Sequence, residues 1–384
     1  SAGGTAGAPS AGNGGAAGSG AGGMSGGGGA GGSASASGAA GEGGEGDGAG
    51  TGGAGEPLVP YGLEERPANA SCLAFARPTG EPGDAFPRSL STTGCFEAGN
   101  PTRPSAGLIP YEVNASLYSD GATKSRWLAL PDEAPIEVLE DGDFELPVGS
   151  VLVKLFELEG APIETRLFMR HEDGEWAGYS YAWLEDGSDA ELLETTVSRL
   201  FGDQEWIYPS RENCLECHTA AAGHSLGLEL AQLNRAVEYP LGRSNQLRTL
   251  EHIGLFAEPL PSDPLPALPE PSSTGATTGR ARAYLHANCA NCHRPGGTSE
   301  VTLDLRFETS IAGMLACEVE PSKGSFGITG AKLLKPGDPE RSMIAFRMHT
   351  SIAGVRMPPI GRTLPDTEGG ALIDAWIAAL AGCP

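Results

Sequence analysis

Long apolar runs are absent from this 384-residue chain. None approaches the ~18 residues that a membrane-spanning helix needs, so the sequence offers no candidate span, and no signal peptide is visible. Bases are scarce too: 25 Lys and Arg stand against 49 Asp and Glu, a formal net charge of −24. Such acidity makes nucleic acid and anionic membrane surfaces poor partners and a basic protein patch a better one. Acidity that serves only solubility is the plainer alternative. Aromatic residues make up 6% of the chain, and residues 1–56 contain none. That stretch is almost entirely Gly, Ala and Ser, with Met24 as its one large apolar side chain, four acids (Glu42, Glu45, Asp47, Glu56) and no base. It cannot bury enough surface to offset chain entropy. It reads as a disordered tether, spanning on the order of 40 Å if it behaves as a Gly/Ser coil. The chain opens at Ser1 and not at Met, which is consistent with removal of an upstream targeting segment.

What the chain does have is cysteine in an unusual arrangement. Four of its 8 cysteines fall in two copies of Cys-x-x-Cys-His: "NCLECH", with Cys214, Cys217 and His218, and "NCANCH", with Cys289, Cys292 and His293. Two thiols at this spacing can add to the two vinyl groups of one porphyrin while the following imidazole supplies a nitrogen to the iron. A zinc ribbon instead needs its two Cys-x-x-Cys pairs about 15–20 residues apart, whereas 71 residues lie between Cys217 and Cys289. A thioredoxin-like redox pair does not call for the His twice. The expectation is two covalently bound c-type haems. Cys72, Cys95, Cys317 and Cys383 form an even remainder that suits disulfides in an oxidising compartment. Sequence order pairs Cys72 with Cys95 and Cys317 with Cys383; buried free thiols are the alternative.

The two copies differ in their surroundings. "TTGRARAYLHANCANCH" predicts a helix running into the second copy, and "GVRMPPIGR" follows it at a distance. There Pro358 and Pro359 hold an extended loop that can present Met357 to the iron; a Met that merely fills a core gap is the alternative. In "PDTEGGALIDAWIAALAG", Leu372, Ile373, Trp376, Ile377 and Leu380 recur at helical spacing, giving an apolar face to pack on the entry helix. Entry helix, attachment site, Met-Pro loop and closing helix together resemble a class I cytochrome c domain over residues 275–384. After the first copy, Leu226, Leu230, Leu233 and Val237 predict another helical face, but no Met lies between His218 and Met314. The sixth ligand of that iron is expected from His252, with His171 and Met169 as further candidates. His224 is too close in sequence to reach the far side of the ring.

Residues 57–205 read as a separate β-rich domain. "GSVLVKLFELEG", "PIETRLFMRHEDG" and "EWAGYSYAWLEDG" are β-branched and aromatic runs closed by Gly-containing turns, as in an antiparallel sheet. Phe156, Phe168, Trp176, Tyr179, Tyr181 and Trp183 would form much of its core. The expected architecture is thus multidomain α+β. The tether (1–56) and the β-rich domain come first, followed by mainly α-helical haem domains, a first haem-binding segment (206–274) and the cytochrome c-like domain (275–384).

Several phrases, among them "GLIPYEVNASLYSDGATKSRWLALP", "RLFMRHEDGEWAGYSYAW", "CHTAAAGHSLGLELAQLNR", "KPGDPERSM" and "RMPPIGR", resemble a family of exported bacterial di-haem c-type cytochromes of unassigned physiological role. The resemblance covers residues 57–384. It implies two c-type haems at Cys214, Cys217, His218, Cys289, Cys292 and His293, with Met357 as a ligand, and electron transfer outside the cytoplasm. A periplasmic or cell-surface location follows, and the tether resembles the spacer of a lipoprotein, with a plain soluble terminus as the alternative. Electron transfer between redox protein partners is the leading expectation. A di-haem peroxidase with an open first haem is the second. A docking role for the β-rich domain is the third, against which stands a purely structural cover.

Overall fold

A computed structural model describes residues 58–68, 71–72 and 86–383; the tether reading of residues 1–56 falls outside them. The three β-branched and aromatic runs are buried along most of their length. They form strands with two different faces.

Six strands make one antiparallel meander: β1 (Ile109–Pro110), β2 (Thr123–Ala129), β3 (Val151–Leu158), β4 (Ala161–Arg170), β5 (Trp176–Trp183) and β6 (Ala190–Leu193), each hydrogen-bonded to its sequence neighbour. On one face Val151, Val153, Leu155, Leu167, Met169, Tyr179 and Tyr181 pack with Leu90 and Phe96 into an apolar core. Cys72 and Cys95 are bonded to one another within that core. The other face carries Leu128, Leu152 and Phe168 in one row and Arg126, Lys154 and Arg166 in the next. The six aromatics predicted for the core are all buried, but they divide between these faces. A hairpin, β7 (Val197–Phe201) and β8 (Gln204–Tyr208), leads from the sheet to the first Cys-x-x-Cys-His.

The chain after the first copy folds back onto the second sheet face. Leu228, Leu230, Leu233, Leu247 and Leu250 join Leu128, Leu152, Phe168 and Trp176 in one core. That core crosses the boundary expected at residues 205/206. The predicted helix through Leu226 and Val237 is only α2 (Leu230–Leu233). Its continuation forms a hairpin, β9 (Ala236–Tyr239) with β10 (Gly242–Asn245), and then α3 (Gln246–His252). Pro240, with no N–H to donate, stands at the hairpin turn, where it ends any helical reading.

The C-terminal part corrects the expected fold class. It is not a mainly α-helical cytochrome c domain. Its described residues hold α4 (Thr277–Cys289), α5 (Met343–His349) and α6 (Thr367–Ala379), and otherwise turns and irregular chain. Between α4 and α5 the sequence is rich in Gly and Pro. Gly327 and Gly330 sit at φ of 86° and 69°, which a right-handed helix forbids. Buried arginines organise these loops where helices were expected. Arg282 donates to the carbonyls of Arg306 (2.8 Å), Phe307 (3.1 Å) and Thr309. Arg362, 3% exposed, donates to those of Met357, Arg347, Thr350 and Leu364. The Cys317–Cys383 disulfide closes the chain end onto the same loops.

The two long helices form as the periodicity predicts: Leu372, Ile373, Trp376 and Ile377 of α6 are buried with Ala281 and Leu285 of α4. Their crossing depends on Gly369, where a Cβ would collide with the Tyr284 ring, itself held by a 2.9 Å hydrogen bond from its hydroxyl to Asp366. Gly369→Ala should therefore cost about 1–3 kcal/mol by overpacking. The expected reading is a lower urea midpoint with an unchanged slope.

Candidate functional site

The site begins with two identical turns. α1 (Arg211–Cys217) is started by Ser210, whose hydroxyl accepts from the Asn213 N–H in a capping box. Cys214 and Cys217, three apart on this helix, share one face. In the second copy Cys289 is the last residue of α4. In both, the histidine N–H donates to the carbonyl of the first cysteine, His218 to Cys214 and His293 to Cys289, each at 2.9 Å. All four thiols are free.

Both turns open into one cavity of about 1000 Å³, at the top of the ~300–1,000 Å³ range of single small-molecule pockets. Cys214, Cys217, His218, Cys289, Cys292, His293 and Met357 all line it. The two copies also touch. The Glu216 carbonyl accepts from Thr298 Oγ1 at 3.1 Å and from Cys292 Sγ at 3.5 Å, and Arg294 donates to the Ala221 carbonyl at 2.8 Å. A hydrogen bond between the thiols of Cys217 and Cys292 holds the Cys217 thiol well up and pulls the Cys292 thiol down.

Each histidine is prepared as a neutral nitrogen donor. His218 Nδ1–H donates to the His224 carbonyl at 2.5 Å, which fixes the tautomer and leaves Nε2 with its lone pair. Burial, and then the Lys154 charge, push the His218 imidazolium down to about 3. The ring lies 4.1 Å, centroid to centroid, from Phe168 of β4. Burial also lowers His293, whose Nδ1 is buried with no hydrogen-bond partner among the described residues. Among those residues no group of three or more His, Cys, Asp or Glu side chains converges to hold a bare metal ion, so the thiols do not form a zinc cage. Two thiols and one imidazole per turn do fit covalent haem, whose macrocycle brings its own four nitrogens.

The remaining predicted ligands are placed as follows. Met357 lies in the Arg362-clamped loop at the cavity wall, joined there by Met343 and Met348, which the sequence reading did not single out. His252 is not brought to the cavity; it is exposed on α3, its ring stacked on Tyr61 at 3.8 Å. Met169 and His171 belong to the opposite side of the sheet, where Met169 is core and His171 Nε2 is 2.9 Å from the Tyr179 hydroxyl. His224 supplies its carbonyl to His218, and its ring Nδ1 returns a hydrogen bond to the His218 carbonyl at 2.9 Å.

Two charged groups at the cavity went unnoticed in the sequence. One is the cation row on β2–β4. The other is an acid pair, Asp143 and Glu229. Burial, and then the Glu229 charge, raise Asp143 to about 7. Burial is the largest influence on Glu229 and works against its charge, but the His286 hydrogen bond at 2.9 Å, the His286 charge, a hydrogen bond from Asp143 and the Arg294 charge together keep that carboxyl low. His286 Nδ1 accepts from the Phe307 N–H at 3.0 Å, so its proton sits on Nε2 and points at Glu229.

Compared with known proteins, the chain matches no family model, no curated protein and no solved structure.

Two predictions follow from this geometry. A Cβ at Gly178 on β5 would lie 2.5 Å from Cys214 Sγ, so Gly178→Ala should push the thiol off the sheet. The expected outcome is lower covalent cofactor yield at Cys214, read by intact mass, with attachment at Cys289 retained. For the acid pair, Asp143 binds its proton more tightly folded than unfolded. Its contribution is therefore intact below the ordinary carboxyl value and is lost as pH rises from about 4 to about 7. Asp143→Asn, which cannot titrate, should raise the urea midpoint relative to the parent at pH 8 more than at pH 5.

Proposed function

We propose that the chain is a di-haem c-type cytochrome that transfers electrons between redox protein partners outside the cytoplasm. One observation carries the reading: both Cys-x-x-Cys-His turns have the same hydrogen-bonded form and open into the same large cavity. Cys214 and Cys217 would hold one haem by thioethers, with His218 Nε2 toward its iron. Cys289, Cys292 and His293 would do the same for the other, with Met357 on the cavity wall as its further ligand. A bound haem supplies one-electron redox chemistry. The protein's own contribution is to fix each imidazole as a neutral donor, exclude water behind the sheet and bring the two attachment turns into contact. The β-rich residues act on this reading as the structural wall of the site.

The two disulfides are compatible with an extracytoplasmic location. Among the described residues no helix is long and apolar enough to cross a membrane, and a lipid anchor ahead of the tether would supply attachment. The net charge of −24 suits a partner with a basic docking patch. A peroxidase-type oxidoreductase is the second reading. It is favoured by the fact that His252, His171 and Met169 stay away from the first turn, where charged residues of the sheet face the cavity.

Expression with a c-type maturation system should yield intact mass for two covalent haems and two one-electron steps in a redox titration. Cys214→Ser/Cys217→Ser should leave one. A chain with no covalent haem would falsify the proposal. High-spin character at the first site with peroxide turnover would move the function to the second reading.

A further inference from the structure

Arg126 on β2, Lys154 on β3 and Arg166 on β4 are directly opposite one another across three adjacent strands, and Lys124 lies two residues from Arg126 on the same face. All four line the cavity. Cross-strand neighbours of like charge stand about 5 Å apart and destabilise a sheet, so a row of three has no value to the strands themselves. Counter-charge is short. Glu164 answers Arg166 through two hydrogen bonds of 2.7 and 2.8 Å, and it also accepts from Trp206 Nε1 at 2.9 Å. Arg126 reaches the Ser116 hydroxyl at 2.8 Å, and Lys124 the carbonyls of Leu117 and Ala122 at 2.8 and 3.3 Å, all of them neutral. The Lys154 ammonium, at the centre of the row, has no hydrogen-bond or ion-pair partner among the described residues. Glu112 lies within electrostatic reach of Arg126, and Asp120 and Asp366 of Lys124, whereas Lys154, flanked by Arg126, Arg166 and Lys124, has no carboxylate near it among the described residues. Buried charges of one sign are costly until an anion joins them.

The same sheet face receives the first attachment turn. Phe168, two residues beyond Arg166, meets the His218 ring, and Gly178 opposite Phe168 receives Cys214 Sγ. Two residues along a strand is about 7 Å, within the rim of one porphyrin. Resting on the two-haem reading above, we infer that the Arg126–Lys154–Arg166 row, with Lys124, is the seat of the two carboxylates of the haem attached at Cys214 and Cys217. A dicarboxylate supplies the counter-charge that Lys154, between two guanidiniums, lacks in the protein itself. Burial, and then Arg126 and Arg166, push the Lys124 ammonium down to about 7, and burial with these same neighbours pushes Lys154 well below its ordinary value. Carboxylates among them would restore both charges.

The sign of the effect on potential is fixed. Reduction adds negative charge to the haem, so a cation held against its carboxylates favours the reduced form, and its removal favours the oxidised one. In the holoprotein, Lys154→Met should lower the reduction equilibrium constant of the first haem about tenfold, ~59 mV for one electron. The second haem should shift less, and the low- or high-spin state of each should stay as in the parent. Lys154→Arg should restore the midpoint, and Arg126→Gln should reproduce the drop should Lys154→Met yield no folded protein. Unshifted midpoints in both Lys154→Met and Arg126→Gln would overturn the inference. So would a change of spin state in Lys154→Met that Arg126→Gln lacks, which assigns the amine to the iron and not to the carboxylates. Failure of the two-haem reading is seen separately, as parent protein of intact mass for fewer than two haems.

Discussion

The central sheet has two unlike faces, and the rest of the molecule is arranged to cover both. One face is mainly apolar, and a core around Leu90, Phe96 and the Cys72–Cys95 bond closes it. The other alternates a row of Leu128, Leu152 and Phe168 with a row of Arg126, Lys154 and Arg166. Neither water nor an apolar layer suits such a face: the leucines disfavour the first and the cations the second. The apolar row is covered by α2, α3, Leu228 ahead of α2 and the segment from Ile253 to Leu265 after α3. The charged row is left to the cavity, and both attachment turns are carried to that cavity's edge.

This arrangement explains why the chain is not divided as its composition suggests. Residues 228–265 contribute to the same core as strands β2–β5, and so cannot be lifted away with the first attachment turn. Further on, the Asp120 carboxylate accepts from the N–H groups of Thr363 and Leu364 at 2.8 Å, tying the loop after Met357 to the sheet side. Asn288, one residue before Cys289, accepts from the Tyr118 N–H at 2.7 Å. Each turn is thus held by residues distant in sequence. Such supports suit the proposed electron carrier, whose site would have to keep its geometry as its charge changes.

Much of this was legible in the sequence, for physical reasons. The runs at Val151, Ile163 and Tyr179 specify strands because they are short, rich in β-branched and aromatic residues and closed by Gly-containing turns. The apolar stripe from Leu372 to Ile377 specifies α6 in the same way. The cysteine remainder gave both disulfides because each pair lies within one packed region. The C-terminal part departs from the helical expectation because an entry helix, an attachment site, a Met-Pro loop and a closing helix do not specify the chain between them. Loops rich in Gly and Pro can be organised by a buried guanidinium, whose several N–H groups saturate backbone carbonyls that a helix would otherwise pair. Arg282 and Arg362 do this, and nothing in local periodicity announces it. His252 looked available because sequence carries no sign of which side of α3 meets the cavity. The cation row was visible in principle: Lys154 interrupts the apolar run from Val151 to Phe156, and a charge at an inward position of a buried strand asks for a partner.

The contact between the two turns bears on what the molecule can do. Glu216 and Thr298 are joined by a hydrogen bond, and Cys217 touches Cys292. On the proposed function, the groups attached at these cysteines would be neighbours across a shared wall of protein. Charge placed on one would then be felt by the other through a medium of low dielectric. Two such centres do not titrate independently. On that reading their potentials would be set jointly by the cations beneath the first, by the buried acid pair of Asp143 and Glu229 beside the cavity, and by each other. The unequal surroundings of the two turns, charged sheet on one side and methionine-bearing loops on the other, give the pair a direction: a first centre tuned by charge and a second tuned by ligand.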